Sequence, residues 1–383
     1  MLIKVCAVTG TRADWGLLKS PLGLIRDHPG FALSIAVTGS HLSPSHGMTV
    51  DEIIDDGFEI AARIPILEEG DDTLDVASAL GLSVLGCARA FEQLKPDLLI
   101  VLGDRYEILG AVQAALLAQI PVAHLCGGDV TEGAYDDSIR HAITKMSHIH
   151  LVTNSDARRR VVQMGENPAF VHMVGSPGLD AIRVVALYTR AETFQRLALT
   201  PRDRNLMVTF HPTTLEQEAA PEQLNELFGA LGKLRTDWGI VLTGSNADTN
   251  GLLFSRKAKE FAKAHENAIF QQSLGQRLYL STMAQVELLV GNSSSGLYEA
   301  PSYKIPTVNV GTRQGGRLRA SSIIDCPINS DAILRAIDTA MATDYSNVTN
   351  PYGDGYTGRR IVDILAALED PKALLRKKFF DRS

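Results

Sequence analysis

The chain has 383 residues, of which 45% are hydrophobic and 21% charged, and its formal net charge is −7. This length suits two medium domains better than one core, and the acidic balance argues against a protein that binds nucleic acid along the phosphate backbone. A small phosphate-bearing ligand remains compatible with it, because such a ligand needs only a few local donors. No uninterrupted apolar stretch reaches ~18 residues, so no membrane span is predicted.

The cysteines are dispersed along the chain and form no CxxC pair; they are Cys6, Cys87, Cys126 and Cys326. This spacing indicates thiols of a reducing compartment rather than a disulfide framework or a zinc site. The first residues read as a strand and lack the pattern of a cleavable leader. We therefore expect a cytoplasmic protein.

Short apolar runs alternate with segments of helical periodicity in the first half of the chain. In chain order the predicted elements are the strand Ile3–Val8, helix Trp15–Asp27, strand Phe31–Val37, helix Thr73–Leu94, strand Leu98–Leu102, helix Ile108–Ala118, strand Pro121–His124, helix Ser138–Ser147, strand Ile149–Val152, helix Ala157–Met164 and strand Val171–Gly175. This alternation is typical of βαβ units and of a parallel sheet covered on both faces.

The alternation stops after Gly175 and restarts at about Arg204. The strands predicted beyond that point are Leu206–Phe210, Ile240–Leu242, Leu288–Val290 and Thr307–Val310. We predict an α/β fold with two Rossmann-like domains, residues 1–180 and 181–358, and a ligand cleft between them. The remaining segment, 359–383, begins with a helix that is expected to pack back on the first domain.

The loops that follow two early strands carry charged groups, and ligands of open parallel sheets bind at the carboxyl ends of strands. The first loop, Thr9-Gly10-Thr11-Arg12-Ala13-Asp14, is suited to hold a phosphate on backbone amides and on Arg12, although an ordinary capped turn explains it as well. The second, Gly103-Asp104-Arg105-Tyr106-Glu107, brings two carboxylates and an arginine to the same edge. Solvated loop charges, or a helix N-cap by Asp104, are the structural alternatives.

The next strand leads into a stretch that is dense in titratable groups. It contains His124, Cys126, Asp129, Glu132, Asp136, Asp137, Arg140, His141, Lys145, His148 and His150. Such clusters are where proteins separate the pKa values of an acid and a base. Asp136 or Asp137 is expected to cap the helix that begins near Ser138. No HExxH or comparable ligand spacing occurs, so no catalytic metal is predicted, and His148 and His150 are interpreted as structural.

The second half offers a histidine and a serine-rich loop. His211 follows a strand, where a structural role is as open as a catalytic one. The segment Gly291-Asn292-Ser293-Ser294-Ser295-Gly296, followed by Glu299, places hydroxyls and backbone N–H groups at a helix start, as in a diphosphate cradle. Further candidates for the same ligand are Ser245, Asn246, Arg313, Arg317 and Arg319, the arginines also being compatible with plain surface charge.

Taken together and in order, these motifs resemble those of the hydrolysing UDP-N-acetylglucosamine 2-epimerases. The motifs are GDRYE, GGDVTEGAYDDSIRHAITKMSH, QMGE, FHPTT, GSNAD and GNSSSG, and the resemblance runs from Val8 to Gln314. That family includes bacterial enzymes of sialic and legionaminic acid synthesis. The resemblance implies two Rossmann-like domains in a GT-B-like arrangement, UDP held mainly by the C-terminal domain, no redox cofactor, no obligatory metal, and a homodimer or homotetramer.

The resemblance also implies a reaction. UDP is eliminated across C1–C2 to give a 2-acetamidoglycal, and water then adds with inversion at C2, so that UDP-N-acetylglucosamine yields N-acetylmannosamine and UDP. Four alternatives remain open: the same chemistry on UDP-2,4-diacetamido-2,4,6-trideoxyglucose, a glycosyltransferase of the same architecture, a non-hydrolysing epimerase that releases UDP-N-acetylmannosamine, and a non-catalytic nucleotide-sugar sensor.

By this resemblance, Asp104, Asp136 and Asp137 match family carboxylates implicated in the proton transfers, and His211 matches a histidine expected near the departing phosphate. The candidate substrate- and UDP-binding residues are Arg12, Arg105, Arg140, Ser245, Asn246, Asn292, Ser293, Ser294, Ser295, Gly296, Glu299 and Arg313. Some relatives carry a catalytic Glu where this chain has Cys126. Either Asp129 takes over that role as a further catalytic residue, or Cys126 marks a subgroup with a different sugar.

Overall fold

The computed structural model describes residues 2–44, 48–67, 73–130, 135–211, 220–244 and 251–381. The chain divides into two compact units, of which the first comprises Met1–Ala181 with Tyr352–Ser383 and the second comprises Ile182–Pro351. The predicted domain limits are residues 180 and 358. The second limit lies earlier in the structure, after residue 351, because residues 352–358 group with the first unit.

The first unit is a parallel sheet with helices in the connections. Its strands are β1 (Ile3–Thr9), β2 (Phe31–Thr38), β3 (Ile60–Ile64), β4 (Leu98–Leu102), β5 (Val122–Leu125), β6 (Ile149–Val152) and β7 (Val171–Met173). The helices between them are α1 (Arg12–Asp27), α2 (Val50–Asp55), α3 (Thr73–Leu94), α4 (Tyr106–Leu117), α5 (Tyr135–Met146) and α6 (Ser155–Gln163). In the described residues the strand order is β3-β2-β1-β4-β5-β6-β7, and every pairing is parallel.

The strand β4 shows why this sheet has a core on each face. All five of its residues are buried, as expected of a central strand in a parallel sheet. Because successive side chains point to opposite faces, Leu98 and Ile100 pack in one cluster with Leu18 of α1, whereas Leu99 packs in another with Phe91 of α3.

Helix α7 (Asp180–Val184) spans the first boundary between the units, and the second unit repeats the architecture. Its strands are β8 (Arg204–Thr209), β9 (Trp238–Thr243), β10 (Ala268–Gln271), β11 (Leu288–Gly291), β12 (Thr307–Val310) and β13 (Ile323–Cys326). Its helices are α8 (Arg190–Leu197), α9 (Ala220–Gly232), α10 (Gly251–Ala264), α11 (Gly275–Met283), α12 (Ser295–Tyr298) and α13 (Ser330–Ala342). The order β10-β9-β8-β11-β12-β13 is again fully parallel among the described residues. The predicted pair of Rossmann-like domains is therefore confirmed, while the cleft between them stays a prediction.

Three strands, β3, β10 and β13, are absent from the prediction, and all three lie at sheet edges. Their side chains are mostly half-buried or exposed. An edge strand is covered less completely than a central one, so its sequence lacks the continuous apolar run that marks a buried strand.

The predicted cap of α5 is wrong, and so is the structural alternative in which Asp104 caps α4. Helix α5 begins at Tyr135, three residues before the predicted start, so Asp136 and Asp137 lie within its first turn. Carboxylates are favourable there as well, because the N-terminal end of the helix dipole is positive. Helix α4 begins at Tyr106, and Arg105 rather than Asp104 occupies its N-cap position.

The last helix, α14 (Thr357–Ala366), packs on the first unit, where Ile361 and Leu365 join the core cluster that contains Leu18. Its N-terminus is held by the buried carboxylate of Asp180. The backbone N–H of Thr357 donates to Asp180 Oδ1 at 2.8 Å, and that of Gly358 donates to Oδ2 at 2.7 Å. One side chain thus satisfies two of the four N–H groups that a helix start leaves open.

Replacing this cap tests its contribution. We expect Asp180→Ala to lower the free energy of unfolding by about 1–2 kcal/mol in urea titrations, the usual cost of losing a helix-capping side chain. Asp363→Ala, on the exposed face of the same helix, serves as the control and should stay within about 0.5 kcal/mol of the wild type. Equal effects of the two substitutions would contradict a capping role for Asp180.

Candidate active site

Each sheet has one point at which its strand order reverses, between β1 and β4 in the first unit and between β8 and β11 in the second. Open α/β sheets bind ligands at the carboxyl ends of the strands next to such a point. Arg12 and Asp104 follow β1 and β4, and His211 and Asn292 follow β8 and β11. The candidate residues of each unit therefore lie where the topology favours a ligand.

Arg140 is the centre of the carboxylate cluster in the first unit. It lies on α5 with 8% of its side chain exposed, and its Nη2 group donates to the carboxylate of Asp104. Nη1 donates to Asp137 Oδ1 at 3.3 Å and to the backbone oxygen of Asp129 at 2.8 Å. One guanidinium thereby joins the loop after β4, the loop after β5 and the first turn of α5.

Asp136, the neighbouring carboxyl group on α5, is biased toward its protonated form. Burial raises the pKa of Asp136, and the charge of Asp104 raises it further, against smaller opposing effects of Arg105 and Arg140. A carboxyl group that retains its proton to higher pH is suited to act as an acid.

Asp129 and Cys126 occupy the loop after β5. The hydroxyl of Thr153 donates to both carboxylate oxygens of Asp129, at 2.9 and 3.1 Å, and the amide of Asn154 donates to Oδ1 at 3.1 Å. Cys126 has a left-handed backbone, with φ of 63°, and burial raises the pKa of its thiol. A thiol that stays protonated at neutral pH is no substitute for a carboxylate base.

His124, on β5, connects the loop after β4 to α5. It is fully buried, its Nε2 lies 2.8 Å from the backbone oxygen of Gly103, and its Nδ1 lies 3.2 Å from Thr144 Oγ1. Burial lowers the pKa of His124 to about 3, so the ring is neutral. Because a carbonyl oxygen only accepts, Nε2 carries the hydrogen, and Nδ1 accepts from the hydroxyl of Thr144. The sequence placed His124 in the titratable stretch, but nothing in it indicated this bridge.

The loop after β1 does not match the predicted phosphate cradle. The backbone N–H groups of Gly10 and Thr11 donate to Asp14 Oδ2, at 3.3 and 3.1 Å, and Thr11 Oγ1 accepts from the N–H of Asp14. These bonds form a capping box for α1, so the amides expected to bind phosphate are already engaged. Arg12, the other candidate of this loop, is 74% exposed and pairs with Glu52 at 3.0 Å.

Glu107 is a buried carboxylate of the GDRYE motif, and its residue type alone indicates no role. Its Oε1 accepts from Arg105 Nε at 2.6 Å, so this candidate UDP-binding arginine is held by a carboxylate. A Cβ atom on Gly10 would lie 2.5 Å from Glu107 Oε1. The glycine after β1 is therefore required for Glu107 to fit. Burial, together with the charge of Glu107, raises the pKa of the adjacent Asp14 to about 6.

Asn292 organises the second unit. Its Oδ1 accepts from the backbone N–H of His211 at 2.7 Å, and its Nδ2 donates to the backbone oxygen of His211 at 2.8 Å. Its own backbone oxygen accepts from Arg313 Nη1 at 3.1 Å and from Gln314 Nε2 at 2.7 Å. Asn292, predicted to contact UDP, thus holds together three loops that carry candidate UDP-binding groups.

The glycine–serine loop lies beside a small pocket. The residues that line it include Thr209, Tyr279, Ser293, Gly296 and Thr307. Gly291 has φ of 136°, and a Cβ atom there would lie 2.0 Å from the backbone oxygen of Thr209, so only glycine allows this loop to leave β11. Ser294 is exposed, and Ser295 begins the short helix α12.

Glu299 lies just after α12. Burial raises its pKa to about 7, and its buried Oε2 has no hydrogen-bond partner among the described residues. A buried carboxyl oxygen left without a partner is costly, so a ligand hydroxyl that reached it would be favourable. Two other candidates, Ser245 and Asn246, lie outside the described residues.

The Asn292 bonds can be tested directly. We expect Asn292→Ala to weaken UDP binding about tenfold and to lower stability by about 1–3 kcal/mol, because His211 and the serine loop lose their fixed spacing. Asn329→Ala, which removes the N-cap of α13, should lower stability without changing the UDP dissociation constant in calorimetry. Unchanged UDP affinity in Asn292→Ala would contradict the organising role.

A family model described as UDP-N-acetylglucosamine 2-epimerase matches residues 24–366. The chain is 38% identical over 328 residues, 85% of each chain, to a Campylobacter jejuni protein named GDP/UDP-N,N'-diacetylbacillosamine 2-epimerase (hydrolyzing). It is 35% identical over 377 residues, 98% of this chain and 99% of the relative, to a Legionella pneumophila protein named UDP-N,N'-diacetylbacillosamine 2-epimerase (hydrolyzing).

A solved structure shares the fold over almost the whole chain. The crystal structure of UDP-GlcNAc 2-epimerase from Neisseria meningitidis bound to UDP-GlcNAc has a TM-score of 0.79 at 17% identity, covering 96% of this chain and all of that one. The match of the family model and the identity to both relatives show that this chain belongs to the UDP-N-acetylglucosamine 2-epimerase family.

Proposed function

We propose that this chain is a hydrolysing 2-epimerase, which converts a UDP-linked 2-acetamido sugar into the free 2-epimer and UDP. The observation that carries the proposal is the cluster of Asp104, Asp136 and Asp137 around Arg140, at the point where the first sheet reverses its strand order. The family membership supports the reaction class.

The reaction requires two steps. In the first, a base takes the proton from C2, the C1–O bond breaks, and its electron pair leaves with UDP while the C2–H pair forms the C1=C2 bond of a 2-acetamidoglycal. In the second, the oxygen of water adds to C1 and a proton returns to C2 from the opposite face. Asp104 and Asp137 are the proposed proton acceptors, and Asp136, whose pKa is raised, is the proposed donor. Asp129 is proposed as a further catalytic residue for these proton transfers.

The second unit is proposed to bind UDP. The groups assigned to it are the loop from Asn292 to Gly296, together with Glu299 and Arg313, with Ser245, Asn246 and Arg12 as further contacts. His211 is proposed to neutralise the departing phosphate, because charge develops there in the elimination step. The relatives described above give the glycosyltransferase alternative no support.

Two substrates fit this chemistry. UDP-N-acetylglucosamine would give N-acetylmannosamine, a precursor type used in sialic acid synthesis. UDP-2,4-diacetamido-2,4,6-trideoxyglucose, which is UDP-N,N'-diacetylbacillosamine, is the second candidate. The names of the relatives that are 38% and 35% identical favour the second, whereas the family description favours the first.

Product analysis by NMR tests the hydrolysing reaction and identifies which sugar-nucleotide is the substrate. Incubation with each sugar-nucleotide separately should release UDP and the free 2-epimer from at least one of them, with no acceptor added. Asp104→Asn is the control and should abolish turnover while leaving the UDP dissociation constant within about threefold. If both sugar-nucleotides stay unchanged, or the product retains UDP, the hydrolysing reaction is contradicted.

We also propose a cytoplasmic homo-oligomer that uses α3 as its contact. Among the described residues, α3 is long and apolar enough to cross a membrane by length and composition, with mean hydropathy 1.4. Core helices of ordinary globular domains pass the same criterion, and α3 packs against α4 through Ser83 and Gly110. Its outer face exposes Leu82, Leu85 and Gly81, a mixture of large and small residues that allows close helix contact.

Light scattering after gel filtration tests this assembly. We expect the Leu82→Glu/Leu85→Glu double substitution to reduce the particle to the mass of a single chain, since two charges would be buried in the contact. Ile54→Glu, at an exposed residue of α2, should leave the mass of the wild-type oligomer unchanged. A wild-type particle with the mass of one chain would refute the proposed contact.

A further inference from the structure

Arg140 lies in an environment that differs from that of a phosphate-binding arginine. Its guanidinium is almost fully buried, and its described acceptors are the carboxylate of Asp104, the carboxylate of Asp137 and the backbone oxygen of Asp129. A buried guanidinium is stable only when its charge is neutralised and its donors are bonded. Within the described part of the chain, two carboxylates meet this one cation, so the added charge of a diphosphate would oppose the existing balance.

The carboxylates that Arg140 joins come from different segments. Asp104 belongs to the loop after β4, and Asp137 to the first turn of α5, so their separation is set by tertiary contacts alone. The fork of a guanidinium fixes the position of two oxygen acceptors at once, which a lysine ammonium does not do.

A second link connects the same two segments. His124 bridges the backbone oxygen of Gly103, the residue before Asp104, and the hydroxyl of Thr144, which lies one helical turn after Arg140 on α5. Residues four positions apart share a helix face, so both links fasten the same face of α5 to the loop after β4. Among the described residues, Arg105, Asp136 and the ring of His141 also lie near this cluster, and His141 Nε2 is 3.4 Å from Asp137 Oδ2.

We propose that Arg140 is a positioning residue, which holds the carboxylates of Asp104 and Asp137 at the separation that proton transfer at C2 requires, and that the Thr144–His124–Gly103 bridge supports the same alignment from within the core. This inference rests on the proposed function. It replaces the prediction from sequence that Arg140 binds the substrate or UDP, and it gives His124 and Thr144 a role that the motifs do not indicate.

The first test separates alignment from UDP binding. We expect Arg140→Met to lower kcat at least ~100-fold, the size of effect that a misplacement of about 1 Å produces, while the dissociation constant of UDP in calorimetry changes less than about threefold. Arg140→Lys keeps the charge without the fork and should recover only part of kcat. Arg313→Met is the matched comparison and should weaken UDP binding at least about tenfold. A loss of UDP affinity in Arg140→Met that equals its loss of kcat would overturn the inference.

The second test uses a substitution remote from the reacting atoms, in case Arg140→Met fails to fold. Thr144→Val keeps the side-chain shape but removes the hydroxyl that donates to His124. We expect kcat to fall about tenfold, with KM and UDP affinity unchanged, and Thr144→Ser to restore kcat. Wild-type kcat in a folded Thr144→Val variant would contradict the bridge.

The two proposals fail in distinguishable ways. Wild-type protein that binds UDP yet releases no free sugar from either sugar-nucleotide refutes the proposed function. Active wild-type protein in which Arg140→Met loses UDP binding in step with turnover refutes only the positioning role. Hydration of a supplied 2-acetamidoglycal gives a further readout, and a normal hydration rate in Arg140→Met would exclude Arg140 from the second step and contradict alignment of a shared pair of carboxylates.

Discussion

A buried guanidinium cannot be left unpaired, and this constraint organises the first unit around Arg140. Because the side chain has little access to water, carboxylates must neutralise its charge. They are Asp104, in the loop after β4, and Asp137, in the first turn of α5, and these two segments are distant from each other in the sequence. Their convergence places Asp104 and Asp137 together with Asp136 beside them. Burial and the charge of Asp104 raise the pKa of Asp136, which suits Asp136 to the acid role proposed for the elimination and hydration.

In the second unit, a neutral side chain, that of Asn292, joins the loops that carry the candidate residues. Asn292 pairs its amide with the backbone of His211 and accepts from Arg313 and Gln314 through its own backbone oxygen. Both connections lie where a parallel sheet reverses its strand order, so topology determines which loops meet and a single polar side chain determines their spacing. Under the proposed function, the first unit supplies proton transfer and the second supplies UDP binding.

The sequence predicted the buried parts of the fold well, because a central parallel strand such as Leu98–Leu102 is marked by its own apolar run. It missed three of the four edge strands, β3, β10 and β13, which lack that run. For the site, it identified Asp104, Asp136 and Asp137 as candidates but could not show that Arg140 faces carboxylates, since burial and partners depend on tertiary contacts. For the loop after β1, the sequence left a phosphate cradle and a capped turn equally open. The bonds from Gly10 and Thr11 to Asp14 support the capped turn, which is recognisable only once the helix start is known.

The proposed reaction removes the C2 proton and replaces it during turnover. Turnover of the preferred UDP-sugar in D2O, followed by NMR of the free sugar, tests this exchange. We expect one deuterium at C2 in every product molecule, because solvent supplies the proton that returns to C2. A product that retains the original hydrogen at C2 would contradict the elimination and, with it, the role assigned to the carboxylates around Arg140.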